Sequence, residues 1–293
     1  MAKALRRMAQ SNGFFSLLYN FPRLFKGYFP IFLDYPVTPV PRWGYGKPPH
    51  PQLYEMFARD RESYRQSLTD FLNYAAHLLA IPLRQPKGSD QPSWIHHWLD
   101  GLDTLALYGF VASRKPGTYL EIGSGYSTKL VRRAIRDHSL PTRLISIDPH
   151  PRAEIDALCD EIVRQPLEDT DLSRFEQLQA GDILFCDGSH RVFMNSDVTV
   201  FFLEILPRLK PGVLVHIHDI ELPCDYMPER AHWYYSEQYL LAASLLAGHR
   251  NYRVVLPNAF VCREQDLVAL VNPLWQQLPG VAFRGSSFWL ETT

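Results

Sequence analysis

The sequence predicts an α/β fold in which a mainly parallel, doubly wound sheet is covered by helices on both faces. Short apolar runs alternate with stretches of helical periodicity, and strands separated by helices form parallel βαβ units. Runs this apolar are typical of strands that are buried on both faces. Six runs bounded by turn residues are predicted as strands: 118–122, 143–148, 182–186, 212–218, 252–257 and 286–292.

The composition is that of one large domain, or of a domain with an extension. The chain has 293 residues, of which 46% are hydrophobic, so a full-sized core is expected. A net charge of -1 argues against a broad nucleic-acid-binding face. The four cysteines form no CxxC pair, which indicates reduced thiols in a cytoplasmic protein rather than a disulfide framework or a zinc site. No apolar run approaches the roughly 20 residues of a membrane helix.

The first part of the chain is basic and aromatic, and its first acid is Asp34. A peripheral contact with a membrane surface is one interpretation of this pattern. The interpretation we favour is an arm that packs on its own domain or on the partner of a homo-oligomer. The segment lacks the continuous apolar region and the cleavage site of a signal peptide.

Residues 1–98 are predicted to form an N-terminal helical and proline/aromatic extension, which acts as a lid or in oligomerisation. Repeated prolines in 30–52 exclude a regular helix there, whereas 53–81 has apolar residues at helical spacing. A cluster of helix breakers at 84–93 precedes a second helical pattern over 94–113. The second unit, 99–293, contains the predicted sheet.

A glycine turn follows the first predicted strand. Glu121 lies near the end of that strand, and Gly123 and Gly125 let the backbone approach a ligand and direct N–H groups at it. Ligands of parallel sheets bind beyond the carboxyl ends of the strands. A dinucleotide fingerprint would need a third glycine where this sequence has Thr128, which disfavours NAD. A plain tight turn without a ligand is the alternative.

The second strand ends on Asp148. A carboxylate at this point can accept hydrogen bonds from both hydroxyls of an adenosine ribose. Because Pro149 follows, Asp148 could instead cap the next helix. Together with the glycine turn, Asp148 favours a ribose-binding site.

Acids and histidines follow the next two strands. Asp187 and His190 come after one strand, and His216, His218 and Asp219 end the other. Neighbouring strand ends lie about 5 Å apart, so these groups are expected to converge. They could bind a divalent cation, or a histidine could act as general base, with His190 and His218 as candidates. We expect His216 to be packed in the core.

Four motifs occur in order along the second unit: "EIGSGYST", "SIDPHPR", "DILFCDGSH" and "LKPGVLVHIHDI". They resemble the successive motifs of class I S-adenosylmethionine-dependent methyltransferases over about 99–293. The last two are similar to those of the small-molecule branch, which includes metal-dependent sugar and catechol O-methyltransferases. The resemblance implies a Rossmann-like, seven-stranded sheet with an antiparallel last strand, and S-adenosyl-L-methionine as cofactor.

The resemblance also implies roles for individual residues. It places Glu121 and the glycine turn at the methionine end of the cofactor, Asp148 at the ribose, and Asp169 or Glu168 at the adenine edge. The cofactor-binding residues implied in this way are Glu121, Gly123, Ser124, Gly125, Tyr126, Ser127, Asp148, Asp169 (or its neighbour Glu168) and Asp187.

In metal-dependent relatives, aspartates that correspond to Asp187 and Asp219 are metal ligands. The resemblance therefore implies a Mg²⁺ or Mn²⁺ site, with His218 as a further ligand. Relatives often carry another acid or amide directly after the second aspartate, where this sequence has Ile220. The predicted catalytic residues are His190, His218 and Asp219.

The predicted function is methyl transfer to a hydroxyl of a small molecule or glycan. The lid is expected to come from the aromatic segment after Asp219, together with the proline-rich loop. A metal-dependent oxidative or hydrolytic enzyme is one alternative, but it would not need the glycine turn and Asp148. A non-catalytic S-adenosylmethionine-binding subunit is another, and the groups around Asp187 and His190 disfavour it.

Overall fold

The computed structural model describes residues 21–22, 25, 37, 39–86, 88–151, 153–248 and 251–293. The basic aromatic N-terminal segment lies almost wholly outside these residues. Its interpretation as an arm or a membrane contact therefore stays a prediction. None of the helices in the described ranges combines the length and apolarity needed to cross a bilayer.

The sheet has seven strands in the order β3-β2-β1-β4-β5-β7-β6. Strands β1 to β5 pair in parallel, and β7 runs antiparallel to both of its neighbours. The predicted doubly wound, Rossmann-like sheet with an antiparallel last strand is therefore confirmed. The strands are β1 Thr118–Ile122, β2 Arg143–Ile147, β3 Glu161–Val163, β4 Ile183–Cys186, β5 Leu214–Ile217, β6 Tyr252–Pro257 and β7 Phe288–Thr292.

Strand β3 was not among the six predicted runs. It has only three residues, and its pattern is half-exposed rather than apolar. A strand this short at the edge of a sheet leaves no continuous apolar run in the sequence.

The register of the central strands brings three chain segments together. The last residue of β1 pairs with the last residue of β2 on one side and with the last residue of β4 on the other. The residues that follow, Gly123, Asp148 and Asp187, therefore meet at one edge of the sheet. Because the strand order reverses between β1 and β4, this edge is the topological switch point where such sheets bind ligands.

The helices cover both faces of the sheet. The helix Asp197–Val200 continues into a π-helical turn, Phe201–Ile205, and a 3₁₀ turn, Leu206–Arg208. The other 3₁₀ turns are Asp156–Leu158, Leu167–Asp169, Leu172–Gln177 and Pro228–Trp233. The described helices are α1 Pro51–Arg59, α2 Arg61–Leu72, α3 Ala75–Leu79, α4 Gly101–Arg114, α5 Tyr126–Asp137, α6 Asp197–Val200, α7 Glu237–Leu246, α8 Asn258–Val261 and α9 Gln265–Trp275.

Two predicted helices differ from the observed ones. The pattern over 53–81 is divided into α1, α2 and α3, with breaks at Asp60 and after Leu72. The helix predicted over 94–113 begins only at Gly101, so the prediction was wrong for its first turns. There, the backbone N–H groups of Trp94 and Ile95 donate to carbonyls of the preceding loop at 3.0 and 2.8 Å, which holds this stretch in an irregular conformation.

The described helices of the extension share one hydrophobic core with the sheet. The Phe57 ring of α1 lies 6.0 Å from the ring of Phe260 and 5.6 Å from the ring of Phe288. Tyr64 of α2 also packs on Phe260 at 6.1 Å. Burying each such side chain contributes about 1.5–3 kcal/mol. The extension's predicted role as a lid or in oligomerisation stays a prediction.

Candidate active site

A cavity of about 430 Å³ lies beyond the carboxyl ends of β1, β2 and β4. Its volume is within the range of small-molecule sites. Seven of the predicted cofactor-binding residues line it: Gly123, Ser124, Gly125, Tyr126, Ser127, Asp148 and Asp187. The structure therefore brings these seven residues together, as the sequence predicted.

The glycine turn packs directly against the end of β4. Gly123 has a φ of +79°, and a Cβ at this position would lie 1.9 Å from the carbonyl oxygen of Asp187. Gly125 precedes α5, and its N–H donates to Oγ1 of Thr128 at 3.0 Å. The first glycine is thus required by both backbone conformation and space, and its close approach sets the width of the cavity floor.

Glu121 lies behind the turn and not on the cavity wall. Its fully buried carboxylate accepts hydrogen bonds from the hydroxyls of Ser127, at 3.0 Å, and Thr128. Burial raises its pKa to about 7, against the lowering effect of these hydroxyl donors. Glu121 therefore fixes the start of α5 relative to β1, and its predicted contact with the cofactor is indirect in this arrangement.

Asp148 joins the ends of β1 and β2. Its Oδ2 accepts from the backbone N–H of Ser124 at 2.7 Å, and its Oδ1 accepts from that of His150 at 2.7 Å. Beyond Asp148 the wall is formed by the segment after β3, which contributes Glu168. Asp169, which was predicted at the adenine edge as the alternative to Glu168, is not among the lining residues, so the structure favours Glu168 at this end.

Asp187 is the point where the cavity meets a buried cluster of charged groups. Its Oδ1 lies 3.2 Å from Nε2 of His190 and 3.4 Å from Nδ1 of His218. The other nitrogen of each ring faces a second acid. Nδ1 of His190 bonds to Glu237, and Nε2 of His218 lies 3.7 Å from Oδ2 of Asp103.

Asp219 belongs to the same cluster. Its Oδ1 accepts from Nη1 of Arg230 and, at 3.3 Å, from the hydroxyl of Ser286. Its Oδ2 lies 3.6 Å from Nε2 of His190. We call these seven side chains the ionic cluster: Asp103, Asp187, His190, His218, Asp219, Arg230 and Glu237.

The acids of the ionic cluster favour the charged form of its histidines. Burial alone would lower the pKa of His190, but the carboxylates of Glu237 and Asp187 raise it well above its ordinary value. For His218 burial is likewise outweighed, mainly by Asp187 and Asp219, and its pKa is also raised well above the ordinary value. The reciprocal effect of the histidines lowers the pKa of Asp187 despite its burial.

The predicted catalytic residues therefore lie behind Asp187. His190, His218 and Asp219 are at most 9% exposed and are not among the residues that line the cavity. The acids around both rings favour the doubly protonated imidazolium form, which opposes a general-base role for either histidine in this arrangement. Their geometry instead fixes the Asp187 carboxylate, which does face the cavity.

His216 is a core histidine, as predicted. It is fully buried, its Nε2 lies 2.6 Å from the hydroxyl oxygen of Ser287, and its ring stacks on Phe185 at 4.2 Å. Burial lowers its pKa well below the ordinary value. The ring therefore stays neutral and contributes packing.

The predicted metal ligands do not form a cation site. Within the described ranges, no group of three or more His, Cys, Asp and Glu side chains is arranged to hold a metal ion. Asp219 is hydrogen-bonded to the guanidinium of Arg230, and Asp187 lies between two imidazoles. Because a cationic side chain already occupies Asp219, the donor set does not fit Mg²⁺ or Mn²⁺ in this arrangement.

Sequence reasoning missed Asp103 and gave Arg230 and Glu237 no role beyond lid charges. Every residue of α4 from Gly101 to Ala112 is buried, so Asp103 is a lone acid in an apolar helical pattern. That pattern was the available signal. Nothing local marks Arg230 or Glu237, because their partners lie in other segments.

Comparison with known proteins gives one family match. Residues 120–220 match the model of a family described as methyltransferase domain. None of the curated proteins matches this chain in sequence.

Similar solved structures include two methyltransferases with S-adenosylhomocysteine bound. An O-methyltransferase from Bacillus cereus is 14% identical, with a TM-score of 0.41, over 78% of this chain and 90% of its own. A Podospora anserina methyltransferase is 14% identical, with a TM-score of 0.40, over 82% of this chain and 96% of its own. Similarity at this level identifies neither the acceptor nor the catalytic residues of this chain.

The strand order defines a Rossmann-like α/β protein with a cavity at the switch point of its sheet. The family match is more specific: residues 120–220, from within β1 to just past β5, match a methyltransferase domain. This agrees with the predicted resemblance to class I S-adenosylmethionine-dependent methyltransferases.

Proposed function

We propose that this protein transfers the methyl group of S-adenosylmethionine to a hydroxyl oxygen of a small molecule or glycan. The observation that carries the proposal is the course of the cavity. It extends from Asp148, past the glycine turn, to Asp187, and there it meets the ionic cluster. A nucleotide-binding end and a polar, rigid end are thus joined in one site.

In this proposal Asp148 accepts hydrogen bonds from the ribose hydroxyls, and Glu168 lies at the adenine edge. The methionine portion extends along Gly123 to Ser127, where the N-terminal end of α5 offers backbone N–H groups. Glu121 supports this region from behind by holding Ser127 and Thr128.

The chain's contribution to the chemistry is alignment and a fixed charge. The sulfonium of the cofactor carries its own leaving group, so the protein must hold the nucleophile, methyl carbon and sulfur in line, which can lower the barrier by about 7–11 kcal/mol. Asp187 presents a carboxylate whose orientation is fixed by His190 and His218. That carboxylate can accept a hydrogen bond from the acceptor hydroxyl, whose proton then passes to solvent.

A histidine that acts as general base is the second candidate mechanism. His190 and His218 were predicted for this role, and their imidazoles are next to Asp187. It would require one of them to release its proton when the positively charged cofactor binds. Metal assistance was also predicted, but we derive no step through a metal, because the donor set does not fit one.

The acceptor is placed at the outer side of Asp187, where Trp98 and Ser189 line the cavity. A small-molecule or glycan acceptor and a cytoplasmic location are parts of this proposal. Contact with a membrane surface, homo-oligomerisation and the absence of a nucleic-acid partner stay predictions from composition.

Calorimetry with S-adenosylhomocysteine and, separately, with NAD tests the cofactor. We expect binding of the former only, and loss of that binding in Asp148→Ala. Glu204→Ala is the matched control, because Glu204 is exposed and is not among the residues that line the cavity. A wild-type protein that binds neither S-adenosylmethionine nor its product would disprove the proposal.

A further inference from the structure

Two acids of the ionic cluster, Asp187 and Asp219, are the carboxylates that the resemblance to metal-dependent methyltransferases implies as cation ligands. Asp187 and Asp219 follow β4 and β5, whose last residues are paired neighbours in the sheet. Two acids this close together require positive charge, because burying uncompensated carboxylates costs several kcal/mol each, on the order of 3–5 when a partner is lost.

Protein side chains supply that charge. The imidazoles of His190 and His218 lie 3.2 and 3.4 Å from Oδ1 of Asp187. Arg230 forms an ion pair with Asp219, and its Nη1 also lies 4.0 Å from Oε1 of Glu221. Arg230 thus stands between two acids that follow β5.

Position 220 gives no further cation ligand. Relatives that use a metal often have an acid or amide there, whereas Ile220 is a fully buried apolar side chain. The acid one residue later is already engaged, since Glu221 accepts from the hydroxyl of Tyr45 at 3.0 Å and lies 3.6 Å from Arg263.

Arg230 reaches this site from an otherwise superficial segment. In the described range 153–248, the turn Pro228–Trp233 buries none of its residues. The Arg230 side chain is nevertheless only 17% exposed, and its guanidinium lies 5.4 Å from the centroid of the Trp233 ring. Its inward direction is therefore explained by Asp219 and Glu221 and not by packing of the turn as a whole.

We infer that Arg230 takes the place of a divalent cation in this protein: its guanidinium, carried by the turn Pro228–Trp233, neutralises Asp219 and Glu221 and excludes a metal ion from the site. The link to methyl transfer rests on the proposed function, whereas the exclusion of metal does not.

Titration with Mn²⁺, followed by electron paramagnetic resonance, tests the inference without an acceptor or a cofactor. The full-length wild-type protein should bind Mn²⁺ with a dissociation constant weaker than about 1 mM. Arg230→Met keeps most of the side-chain volume but removes the charge, and should bind at least about tenfold more tightly, since hard oxygen ligands are released. Adding Asp219→Asn to Arg230→Met should abolish this gain.

Arg191→Met is the matched control. Arg191 holds the same turn, because its Nε donates to the carbonyl of Trp233 at 3.0 Å. Its guanidinium also lies 5.3 Å from the Tyr235 ring, but it is not paired with Asp219. This variant should gain no Mn²⁺ affinity. An equal gain would show that loosening the turn, and not removing the charge, opens the site.

Two other results would overturn the inference. One is micromolar binding of Mn²⁺ by the wild-type protein, if Asp219→Asn abolishes that binding. This test does not depend on the folding of an arginine variant. The other is a folded Arg230→Met protein with no gain, which would assign metal exclusion to the histidines. Binding of S-adenosylhomocysteine is measured in parallel: its absence in the wild type would disprove the proposed function and leave the Mn²⁺ result valid.

Discussion

At the scale of single residues, the site depends on side chains with little freedom to change. Gly123 packs against the Asp187 carbonyl. Glu121 accepts hydrogen bonds from two hydroxyls, and Asp148 accepts hydrogen bonds from two backbone N–H groups. Gly123 and Ser124 join the turn after β1 to the ends of β4 and β2, and Glu121 joins β1 to α5. Substitutions here should therefore affect both stability and cofactor binding.

Gly123→Ala should be strongly destabilising. The new Cβ would lie 1.9 Å from the Asp187 oxygen at a φ of +79°. Gly181→Ala is the control, because Gly181 has a φ of +90° with nothing within 4 Å of the added Cβ. Urea unfolding should show a loss of about 1 kcal/mol for Gly181→Ala and at least about 3 kcal/mol for Gly123→Ala. Equal losses would mean that the clash is relieved cheaply.

Glu121 should make the stability of the cofactor-free protein depend on pH. Its folded pKa of about 7 exceeds the reference value of 4.5, so the folded state binds more protons than the unfolded state between these values. The stabilising contribution is therefore complete below about pH 4.5 and is lost as the pH rises to 7, by about 3 kcal/mol.

Denaturant unfolding of wild type and Glu121→Gln at pH values from 4.5 to 8 measures this effect. The amide cannot ionise, so the difference in unfolding free energy between the two proteins should change across this interval and be constant above it. A difference that is independent of pH would show that Glu121 titrates normally in the folded protein.

At the scale of elements, buried polar links fix how helices meet the sheet. Asp103 of α4 accepts from the backbone N–H groups of Ser286, at 3.0 and 2.9 Å, and Ser287, at 2.8 Å. It also accepts from Nδ2 of Asn258 at 2.7 Å. One carboxylate thus joins α4, α8 and the entrance to β7, and its other neighbour is His218 of the ionic cluster.

Asp103→Asn should cost about 3 kcal/mol or more, because an amide would leave buried N–H donors without an acceptor and would uncouple His218. Asp266→Asn is the control: Asp266 is 41% exposed, and its ion pairs with Arg61 and Arg65 should contribute less than about 1 kcal/mol. Thermal unfolding of both variants measures the difference. Similar losses would indicate that Asp103 is replaced by rearranged neighbours.

At the scale of the whole molecule, the core is continuous between the extension and the sheet. The apolar residues of α1 and α2 form one cluster with those of α4, β7 and α8. Since the cluster crosses the predicted boundary near residue 98, the described helices of the extension and the methyltransferase domain should unfold together.

Phe57→Ala should lower the unfolding free energy by about 3–5 kcal/mol and keep a single transition. Phe193→Ala, at a side chain that is 48% exposed, should change it by less than about 0.5 kcal/mol. Calorimetry of both variants is the measurement. A separate early transition in Phe57→Ala would show that the extension unfolds on its own.

Much of the fold, and the place of several candidate site residues, could be predicted from the sequence. Glu121, Asp148 and Asp187 were placed at strand ends because apolar runs and turn residues are local signals. Strand β3 and the irregular stretch at 94–100 were not predicted. A three-residue edge strand has no pattern, and the irregular stretch is held by backbone hydrogen bonds to the preceding loop, which periodicity does not reveal.

The sequence by itself determined the parallel sheet, the glycine turn and the acids at the strand ends, since period and turn chemistry involve residues that are neighbours in the chain. Only the tertiary structure decided the state of those acids. His190 meets Glu237 across 47 residues, and Asp103 meets Ser286 across 183. Contacts between segments so far apart leave no local pattern, and they determine which carboxylate faces the cavity and which cation neutralises its neighbour.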